Sequence, residues 1–504
     1  MKKYTVNIFY FLLLLAYSSF AQEKYNYIAI DKNDTQKDII RKAANVVPSE
    51  RQIKWQKMEL IAFIHFNMNT FTGKEWGNGN EDPKLFNPKK FDAEQWVKSI
   101  KDAGFKEIIL TCKHHDGFCL WQTKTTNHSV KSSDWKDGNG DVVKEVSDAC
   151  KKYNVAFGVY LSPWDRNTKY YGTDEYNDFF IEQLTELLTH YGKVSEVWFD
   201  GACGEGPNGK KQVYDYVRWY AHIRKLQPQA NIAIMGPDVR WVGTESGKGR
   251  KTEWSVIPNN NMDQSVIARN SQQDIIYKPL GDLVNQNLGG RDIISSAKGL
   301  VWYPAETNTS IRPGWFYHSS EDSKVKTPKE LMDIYFTSVG MNGVFLLNIP
   351  PDPDGLINEN DIKSLQGFKL LRDKTFKKNI ADGAIVKSNN GINEKAILDN
   401  NYQTYFTTKG TDTTTAIDIS LPVEKTFNVL SLQENITVGQ RVEKFVFEYQ
   451  GKDGNWIQIT SGTTIGYKRL LQFDTVNAQK LRLIILSSRL NPTIAEFGIY
   501  YLNK

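Results

Sequence analysis

Short apolar runs alternate with amphipathic stretches along most of the chain. The runs have the length of buried strands, and the stretches between them carry apolar residues three and four positions apart, as helices do. The runs cover residues 60–66, 107–112, 155–161, 194–199, 231–235, 300–303 and 344–349, and we place a less distinct sixth strand near residues 252–256. Because this strand–helix order repeats about eight times within roughly 300 residues, it predicts a parallel sheet closed into a (β/α)8-type TIM barrel.

The pattern changes after about residue 374. A polar stretch follows, and beyond it short segments alternate apolar and polar residues, with Gly, Asn and Asp between the segments. They lie at residues 416–421, 442–449, 456–460, 480–485 and 496–501. Such alternation is typical of strands that bury one face, and a series of them predicts an all-β sandwich. We therefore expect a barrel over residues 22–373, a linker over residues 374–382 and a sandwich module over residues 383–504.

Residues 1–21 have the pattern of a secretory signal peptide. Lys2 and Lys3 supply the positive start, residues 8–16 form the apolar stretch, and Ser19-Phe20-Ala21 is a small-x-small cleavage site. A membrane anchor is the alternative, but the apolar run is too short to cross a bilayer. We expect cleavage before Gln22, export to the periplasm or to the extracellular space or cell surface, and no transmembrane span.

Composition narrows the function classes only slightly. The 63 Lys and Arg nearly balance the 58 Asp and Glu, which argues against nucleic acid as the main partner. The 13 Trp and 24 Tyr suit both core packing and stacking against sugar rings. The cysteines, Cys112, Cys119, Cys150 and Cys203, form no Cys-x-x-Cys pair, so we expect buried thiols rather than a zinc site or a disulfide framework.

Three histidines lie where predicted strands run into the following loops, which is where barrel enzymes collect their chemistry. They are His65, in Phe63-Ile64-His65-Phe66, and the adjacent His114 and His115. A metal site is the first alternative, but neighbouring strand residues point to opposite faces and no carboxylate stands at ligand spacing. We therefore expect neither a metal nor another cofactor, and we assign the imidazoles to hydrogen bonds with substrate hydroxyls.

The fourth predicted strand ends in Val197-Trp198-Phe199-Asp200-Gly201. Its period of two places Trp198 and Asp200 on one face, so both can reach the barrel mouth. Asp200 as a helix cap is the alternative, but residues 201–211 intervene before the next helix. Glu245 and Glu253 are available as acid partners. Two carboxylates with aromatic walls indicate glycoside hydrolysis, in which one acid protonates the leaving oxygen and the other attacks or activates water.

These residues belong to a wider set of motifs in which a family can be identified. The motifs are Val47-Pro48-Ser49-Glu50-Arg51-Gln52, Trp55-Gln56, Phe63-Ile64-His65-Phe66, Glu75-Trp76-Gly77, His114-His115-Asp116-Gly117-Phe118, Trp198-Phe199-Asp200-Gly201, Trp241-Val242-Gly243-Thr244-Glu245, Ser310-Ile311-Arg312-Pro313-Gly314-Trp315 and Leu346-Leu347-Asn348-Ile349-Pro350-Pro351. Over residues 46–355 the chain resembles the family 29 glycoside hydrolases, the retaining α-L-fucosidases. The resemblance is greatest to the subfamily that prefers branched α-1,3 and α-1,4 fucosides.

The resemblance implies roles for individual residues. Asp200 matches the nucleophile that holds a covalent fucosyl intermediate, and Glu245 matches the proton donor, with Glu253 as the second candidate. The residues that match the fucose pocket are His65, Glu75, Trp76, His114, His115, Tyr160 and Trp198. Weaker candidates for contacts in or beside the pocket are Arg240, Arg312, Trp302, Trp315 and Tyr317. The implied substrate is a fucosylated oligosaccharide or glycoconjugate.

The C-terminal module resembles the galactose-binding-like, discoidin-type modules. Three roles remain open for it: binding carbohydrate, holding a calcium ion, or bracing the barrel, which is the default. Two other functions also stay open for the whole chain. One is a different retaining exo-glycosidase, such as an α-galactosidase-like enzyme, and the other is a glycan-binding protein without catalytic activity.

Overall fold

A computed structural model describes residues 25–259 and 287–503 of the chain. The segment with the signal-peptide pattern, residues 1–21, lies outside the described residues. Within the described ranges, no helix is both long and apolar enough to span a membrane.

The described strands are β1 (Tyr27–Ala29), β2 (Leu60–Ile64), β3 (Glu107–Lys113), β4 (Ala156–Leu161), β5 (Glu196–Phe199), β6 (Asn231–Ile234), β7 (Arg240–Trp241), β8 (Val256–Pro258), β9 (Gly299–Trp302), β10 (Ala305–Ser310), β11 (Val344–Asn348), β12 (Ile385–Lys387), β13 (Gly391–Ile392), β14 (Thr407–Thr408), β15 (Thr415–Glu434), β16 (Val442–Gln450), β17 (Trp456–Gly462), β18 (Arg469–Ser488) and β19 (Ile494–Tyr500). The described α-helices are α1 (Gln36–Asn45), α2 (Glu50–Gln56), α3 (Met68–Thr72), α4 (Ala93–Asp102), α5 (Val142–Tyr153), α6 (Glu175–His190), α7 (Tyr216–Leu226), α8 (Arg291–Ile294), α9 (Pro328–Thr337) and α10 (Glu359–Phe376).

The barrel is a sheet of eight parallel strands in the order β6-β5-β4-β3-β2-β11-β10-β7. Its two end strands, β6 and β7, follow each other directly in the chain, so the sheet is nearly closed. Helices pack around it, and acidic N-caps define where several of them begin: the side chain of Asp92 accepts the Gln95 N–H at the start of α4, and Asp141 accepts the Lys144 N–H at the start of α5. Because all eight strands run in parallel, their C-terminal ends meet at one edge.

Two predicted barrel strands were wrong. The sixth strand is β7 and the seventh is β10. The predicted strand near residues 252–256 meets β8 only at Val256, and the predicted strand at residues 300–303 overlaps β9. Those two strands form a separate antiparallel sheet with β1, and their apolar residues Val256, Leu300 and Trp302 pack against α1. The sequence pattern missed β10 because its residues, Ala-Glu-Thr-Asn-Thr-Ser, are mostly polar, yet all six are buried.

The C-terminal module is an antiparallel sheet domain in the order β12-β15-β18-β16-β17, with β19 paired to β15. The long strands β15 and β18 pair along most of their length and change register after Ser420. The first part of β15 pairs with β12 and its last part with β19. Alternating apolar residues from these strands form one core, with Ile417, Ile419, Phe445 and Leu483 among its members. The predicted fold class, a TIM-type barrel followed by a discoidin-like β-sandwich, is confirmed.

The predicted linker over residues 374–382 overlaps the last turn of α10, which ends at Phe376. The four cysteines are buried thiols, as expected.

Candidate active site

A pocket opens at the C-terminal ends of the barrel strands. The side chains that line it are Phe63, His65, Glu75, Trp76, His114, His115, Trp198, Asp200, Ala202, Glu245, Asn308 and Trp315. Eight of the nine residues assigned to the site from the sequence are therefore neighbours here, and the weaker candidate Trp315 lies with them. The ninth, Tyr160, lies directly beside Asp200. A wider cavity opens at the opposite end of the barrel, where strand beginnings such as Phe157 and Asn231 line it; the carboxylate pair does not lie there.

Asp200 follows the last residue of β5 and is held by two donors. Its Oδ1 accepts the N–H of Ala202 at 2.7 Å, and its Oδ2 accepts the hydroxyl of Tyr160 at 3.1 Å. Burial raises the pKa of the Asp200 carboxyl, and these two hydrogen bonds oppose the rise. Burial also raises the pKa of Tyr160, so this hydroxyl keeps its proton and remains a donor. The arrangement suits an ionised carboxylate whose position is fixed.

The tautomer of His65 follows from Asn348, the last residue of β11. The Asn348 amide nitrogen donates to the carbonyl of Trp315 at 2.7 Å, which turns the amide oxygen toward His65. This oxygen lies 2.8 Å from Nδ1 of His65, so Nδ1 carries the proton and Nε2 is an acceptor. Burial lowers the pKa of His65 to about 3, which keeps the ring neutral. His65 therefore offers its lone pair to a hydroxyl group.

The same reasoning assigns opposite roles to the two adjacent histidines. The amide nitrogen of Asn69 donates to the carbonyl of Glu75 and lies 3.2 Å from Nδ1 of His114, so His114 accepts there and carries its proton on Nε2. The hydroxyl of Ser162 donates to the carbonyl of Trp164 and thus accepts from Nδ1 of His115 at 2.7 Å. Burial lowers the pKa of both rings, for His115 to about 3. The three histidines together offer one donor and two acceptors.

Aromatic rings form the inner wall. Tyr160 and Trp198 stack with ring centroids 5.1 Å apart, and Phe63 packs against Trp198 at 5.0 Å. The indole N–H of Trp198 donates to the buried carboxyl group of Glu306 at 3.1 Å, so it is directed into the barrel and Trp198 contributes its ring face. Trp76 is half exposed at the rim and packs edge-on against His115. These rings suit an apolar face of a sugar.

Glu245 lies at the pocket mouth, in the loop that follows β7. The residue is exposed, while its carboxyl group accepts the indole N–H of Trp315 at 3.3 Å. Partial burial of the carboxyl and the negative charge of Asp200 raise the pKa of Glu245, and the Trp315 hydrogen bond opposes this rise. A carboxyl group with a raised pKa keeps its proton to higher pH than an ordinary glutamate does, which suits a general acid. Glu75 lies at the same rim of the pocket. Its carboxylate accepts the backbone N–H of Trp315 at 2.9 Å, and its Oε1 lies 2.8 Å from Nε2 of His318.

Several sequence candidates lie elsewhere. Glu253, the second candidate for the proton donor, is buried in an ion-pair cluster with Arg240 and Arg250 and does not line the pocket. Arg312 is bonded to Asp361 and Asp322, and the indole of Trp302 donates to Gln56, so both have structural roles. Tyr317 stacks under the Arg312 guanidinium.

Asn308, Phe63 and Ala202 also line the pocket, although none of them was predicted from the sequence as a site residue. Asn308 lies on β10, the strand that the apolar pattern did not reveal. Its amide oxygen accepts the indole N–H of Trp241 at 2.9 Å, which leaves its amide nitrogen as a donor on the pocket side. The feature of the sequence that could have revealed β10 is a polar segment that lies between two apolar strands. Over residues 25–259 and 287–503, no group of three or more His, Cys, Asp or Glu side chains is arranged to hold a metal ion.

Comparison with known proteins gives a consistent result. The family model described as Alpha-L-fucosidase matches residues 17–369, and that of the F5/8 type C domain matches residues 381–497. The chain is 41% identical to Alpha-L-fucosidase 1 of Arabidopsis thaliana, and the match covers 90% of this chain and 87% of the plant protein.

Solved structures resemble the whole chain. A Bacteroides ovatus protein superposes with a TM-score of 0.84 at 50% identity, covering 96% of this chain and 79% of that one. The family 29 fucosidase of Ruminococcus gnavus, solved in complex with fucose, superposes with a TM-score of 0.80 at 34% identity, covering 91% and 95% of the two chains.

Proposed function

Since the chain belongs to the α-L-fucosidase family and is a glycoside hydrolase, we propose that it releases terminal α-L-fucose by double displacement, with Asp200 as nucleophile and Glu245 as acid and base. The α-galactosidase-like and catalytically inactive alternatives are both less consistent with relatives named as fucosidases over most of the chain. The observation that carries the mechanism is the meeting of Asp200 and Glu245 in one pocket.

In the first step, an oxygen of Asp200 attacks the anomeric carbon while Glu245 gives its proton to the glycosidic oxygen. The C–O bond to the leaving group breaks, the leaving group departs as an alcohol, and a fucosyl ester forms on Asp200. The raised pKa of Glu245 supports this step, because a protonated carboxyl is needed at the start.

In the second step, Glu245 takes a proton from water, and the water oxygen attacks the anomeric carbon from the face that the leaving group has left. The ester bond to Asp200 breaks and fucose is released with its original configuration. Formation of the ester removes the negative charge of Asp200, which is one of the causes that raise the pKa of Glu245. Glu245 therefore becomes a stronger acid once its proton has been used, and this leaves it ionised to act as the base.

The pocket polarity fits a ring with several hydroxyls and one methyl group. His65 and His115 offer acceptors, His114 offers a donor, and Glu75 offers carboxylate oxygens. The faces of Phe63 and Trp198 offer apolar surface for the methyl group. The fucose complex of the Ruminococcus gnavus relative supports fucose as the sugar that occupies this pocket.

The proposals for the linkage of the substrate and for the location of the protein rest on the sequence motifs alone. The motifs resemble the subfamily that acts on branched α-1,3 and α-1,4 fucosides, so we expect a fucosylated oligosaccharide or glycoconjugate with these linkages. The pattern of residues 1–21 supports export to the periplasm or to the extracellular space or cell surface.

One experiment tests both the mechanism and the linkage. A panel of fucosylated oligosaccharides that differ only in linkage is digested, and proton NMR identifies the first anomer of free fucose. We expect α-fucose from the branched α-1,3 and α-1,4 members. Initial release of β-fucose would contradict the double displacement, and equal rates on α-1,2 and α-1,6 members would contradict the proposed preference.

A further inference from the structure

The C-terminal module is bonded to a short barrel segment, residues 251–255, that follows the loop carrying Glu245. Thr464 accepts the N–H of Glu253 at 3.0 Å, and Gln440 accepts the N–H of Ser255 at 2.8 Å while donating to the carbonyl of Glu253 at 2.9 Å. Arg469 donates to the carbonyl of Lys251 at 2.9 Å. The backbone N–H groups of Glu253 and Ser255 thus have their partners on the module, while the carbonyl of Glu253 also accepts from Asn342 of the barrel at 3.2 Å.

Side-chain stacking adds to these hydrogen bonds. The guanidinium of Arg489, on the module, lies 3.5 Å from the ring centroid of Trp254, and both side chains are buried. Gln440 and Thr464 are fully buried at the same contact. Hydrogen bonds and ring contacts that are buried in this way fix the segment more firmly than a surface contact does.

The segment is in turn linked to the Glu245 loop by Arg250. One nitrogen of the Arg250 guanidinium donates to a Glu253 carboxyl oxygen at 2.8 Å, and the other donates to the carbonyl of Val242 at 2.8 Å. Val242 comes three residues before Glu245. The planar guanidinium fork therefore fixes the start of the loop relative to the segment that the module holds.

The far side of the loop is held by the barrel. Gly247 donates its N–H to the carbonyl of Asn308 at 3.1 Å, and its carbonyl accepts the hydroxyl of Thr337 at 3.1 Å. The loop is thus fixed at Gly247 through β10 and α9, and at Val242 in two ways: its N–H donates to the carbonyl of Glu306 on β10 at 2.9 Å, and its carbonyl accepts from Arg250. Of these contacts, the one through Arg250 leads to the segment that the module holds.

We propose that the module acts as a positioning element for the acid/base, through Gln440 and Thr464 on the module and through the Glu253–Arg250 pair in the barrel. This inference rests on the proposed role of Glu245. A general acid must lie within hydrogen-bonding distance of the leaving oxygen, and a displacement of about 1 Å can cost roughly 100-fold in rate. The module would then affect the reaction at a pocket that is lined by barrel side chains.

The test compares two substrates in full-length variants. The first substrate is an aryl fucoside with an activated leaving group, which needs little protonation, and the second is a fucosyl oligosaccharide, which needs a well-placed acid. Gln440→Ala removes two hydrogen bonds to the segment, and Arg250→Lys keeps the charge beside Glu253 but loses the fork to Val242. We expect kcat/KM for the oligosaccharide to fall about tenfold more than kcat/KM for the aryl fucoside in both variants.

Two controls make the ratio interpretable. Lys468→Met removes a module contact to Glu59, which precedes β2 and is not part of residues 251–255, and it should leave the ratio unchanged. Partial unfolding lowers both rates equally, so the ratio does not depend on the folded fraction. Glu245→Gln provides the reference for loss of the acid itself.

The outcomes separate the two proposals. An altered ratio in Glu245→Gln together with normal ratios in Gln440→Ala and Arg250→Lys would overturn the positioning role and leave the acid assignment intact. A normal ratio in Glu245→Gln would overturn the acid assignment itself. A changed ratio in Lys468→Met would show a general effect of the interface and also count against the specific link through Arg250.

Discussion

The hydroxyl of Tyr160 donates to Oδ2 of Asp200 over 3.1 Å, from one barrel strand to the end of the next. The contact follows from the strand register, in which Tyr160 on β4 pairs with Trp198 on β5, two residues before Asp200. Because side chains two residues apart share a face of a strand, Asp200 lies on the same side as its donor. The proposed nucleophile is thus positioned by the regular geometry of the sheet as well as by its own loop.

Removal of this donor should change the pH dependence of the reaction. The Tyr160 hydrogen bond lowers the pKa of Asp200, so Tyr160→Phe should raise that pKa. Attack requires the ionised carboxylate, and the rate falls as pH drops through its pKa. The acid limb of the kcat/KM profile should therefore move to higher pH, with a loss at the optimum of about tenfold. An unmoved acid limb would show that Asp200 does not set it.

Asp200→Asn should abolish turnover without unfolding the protein, because the amide fits the same space but is a very weak nucleophile. We expect kcat to fall by about 10³-fold or more on an aryl fucoside. Thermal unfolding in the presence and absence of fucose checks that the pocket persists. Near-normal turnover by a preparation free of wild-type enzyme would exclude Asp200 as the nucleophile.

Glu245→Ala should respond to azide. The variant retains Asp200 and can still form the fucosyl ester from an activated aryl fucoside, but it lacks the base that activates water. Azide needs no base and attacks the ester from the face that the leaving group has left, so it should accelerate turnover and give α-fucosyl azide, which NMR identifies. Rescue of Glu253→Ala instead of Glu245→Ala would reverse the two roles.

Glu253→Gln should lower the stability of the protein, in addition to loosening the link from Arg250 to the Glu245 loop. Glu253 is buried between the guanidinium groups of Arg240 and Arg250, and loss of its charge leaves both cations without their anionic partner. Breaking a buried ion pair in this way costs about 3–5 kcal/mol in the free energy of unfolding. Denaturant unfolding measures the loss. The exposed pair Lys329–Asp333 provides a control, because Asp333→Asn should cost about 1 kcal/mol or less.

Asn308→Asp should alter the other limb of the pH profile. The substitution keeps the shape and the hydrogen bond from Trp241, but it places a negative charge in the pocket with Glu245. A nearby negative charge raises the pKa of a carboxyl group. Because Glu245 must be protonated to act as an acid, the basic limb of kcat/KM should move to higher pH. A shift to lower pH, or none, would contradict the placement of Asn308 beside the acid.

The sequence was sufficient to bring most of the proposed site together. Once the strand–helix repeat predicted a parallel barrel, His65, His114 and Asp200 had to meet, because all of them follow strands that end at the same edge. The period of two within the fourth strand also placed Trp198 and Asp200 on one face. These inferences rest on local periodicity, which the backbone geometry of a strand imposes on any sequence.

Only the tertiary structure determined the features that depend on partners distant in the chain. β10 is polar but buried, so its strand and Asn308 cannot be found from apolar runs. The proposed choice of Glu245 over Glu253 depends on Asp200 and Trp315, which line one pocket with Glu245. The proton positions on the histidines depend on Asn348, Asn69 and Ser162. A carboxyl or imidazole group takes its role from the charges and hydrogen bonds around it, and side chains far apart in sequence supply these only after the chain has folded.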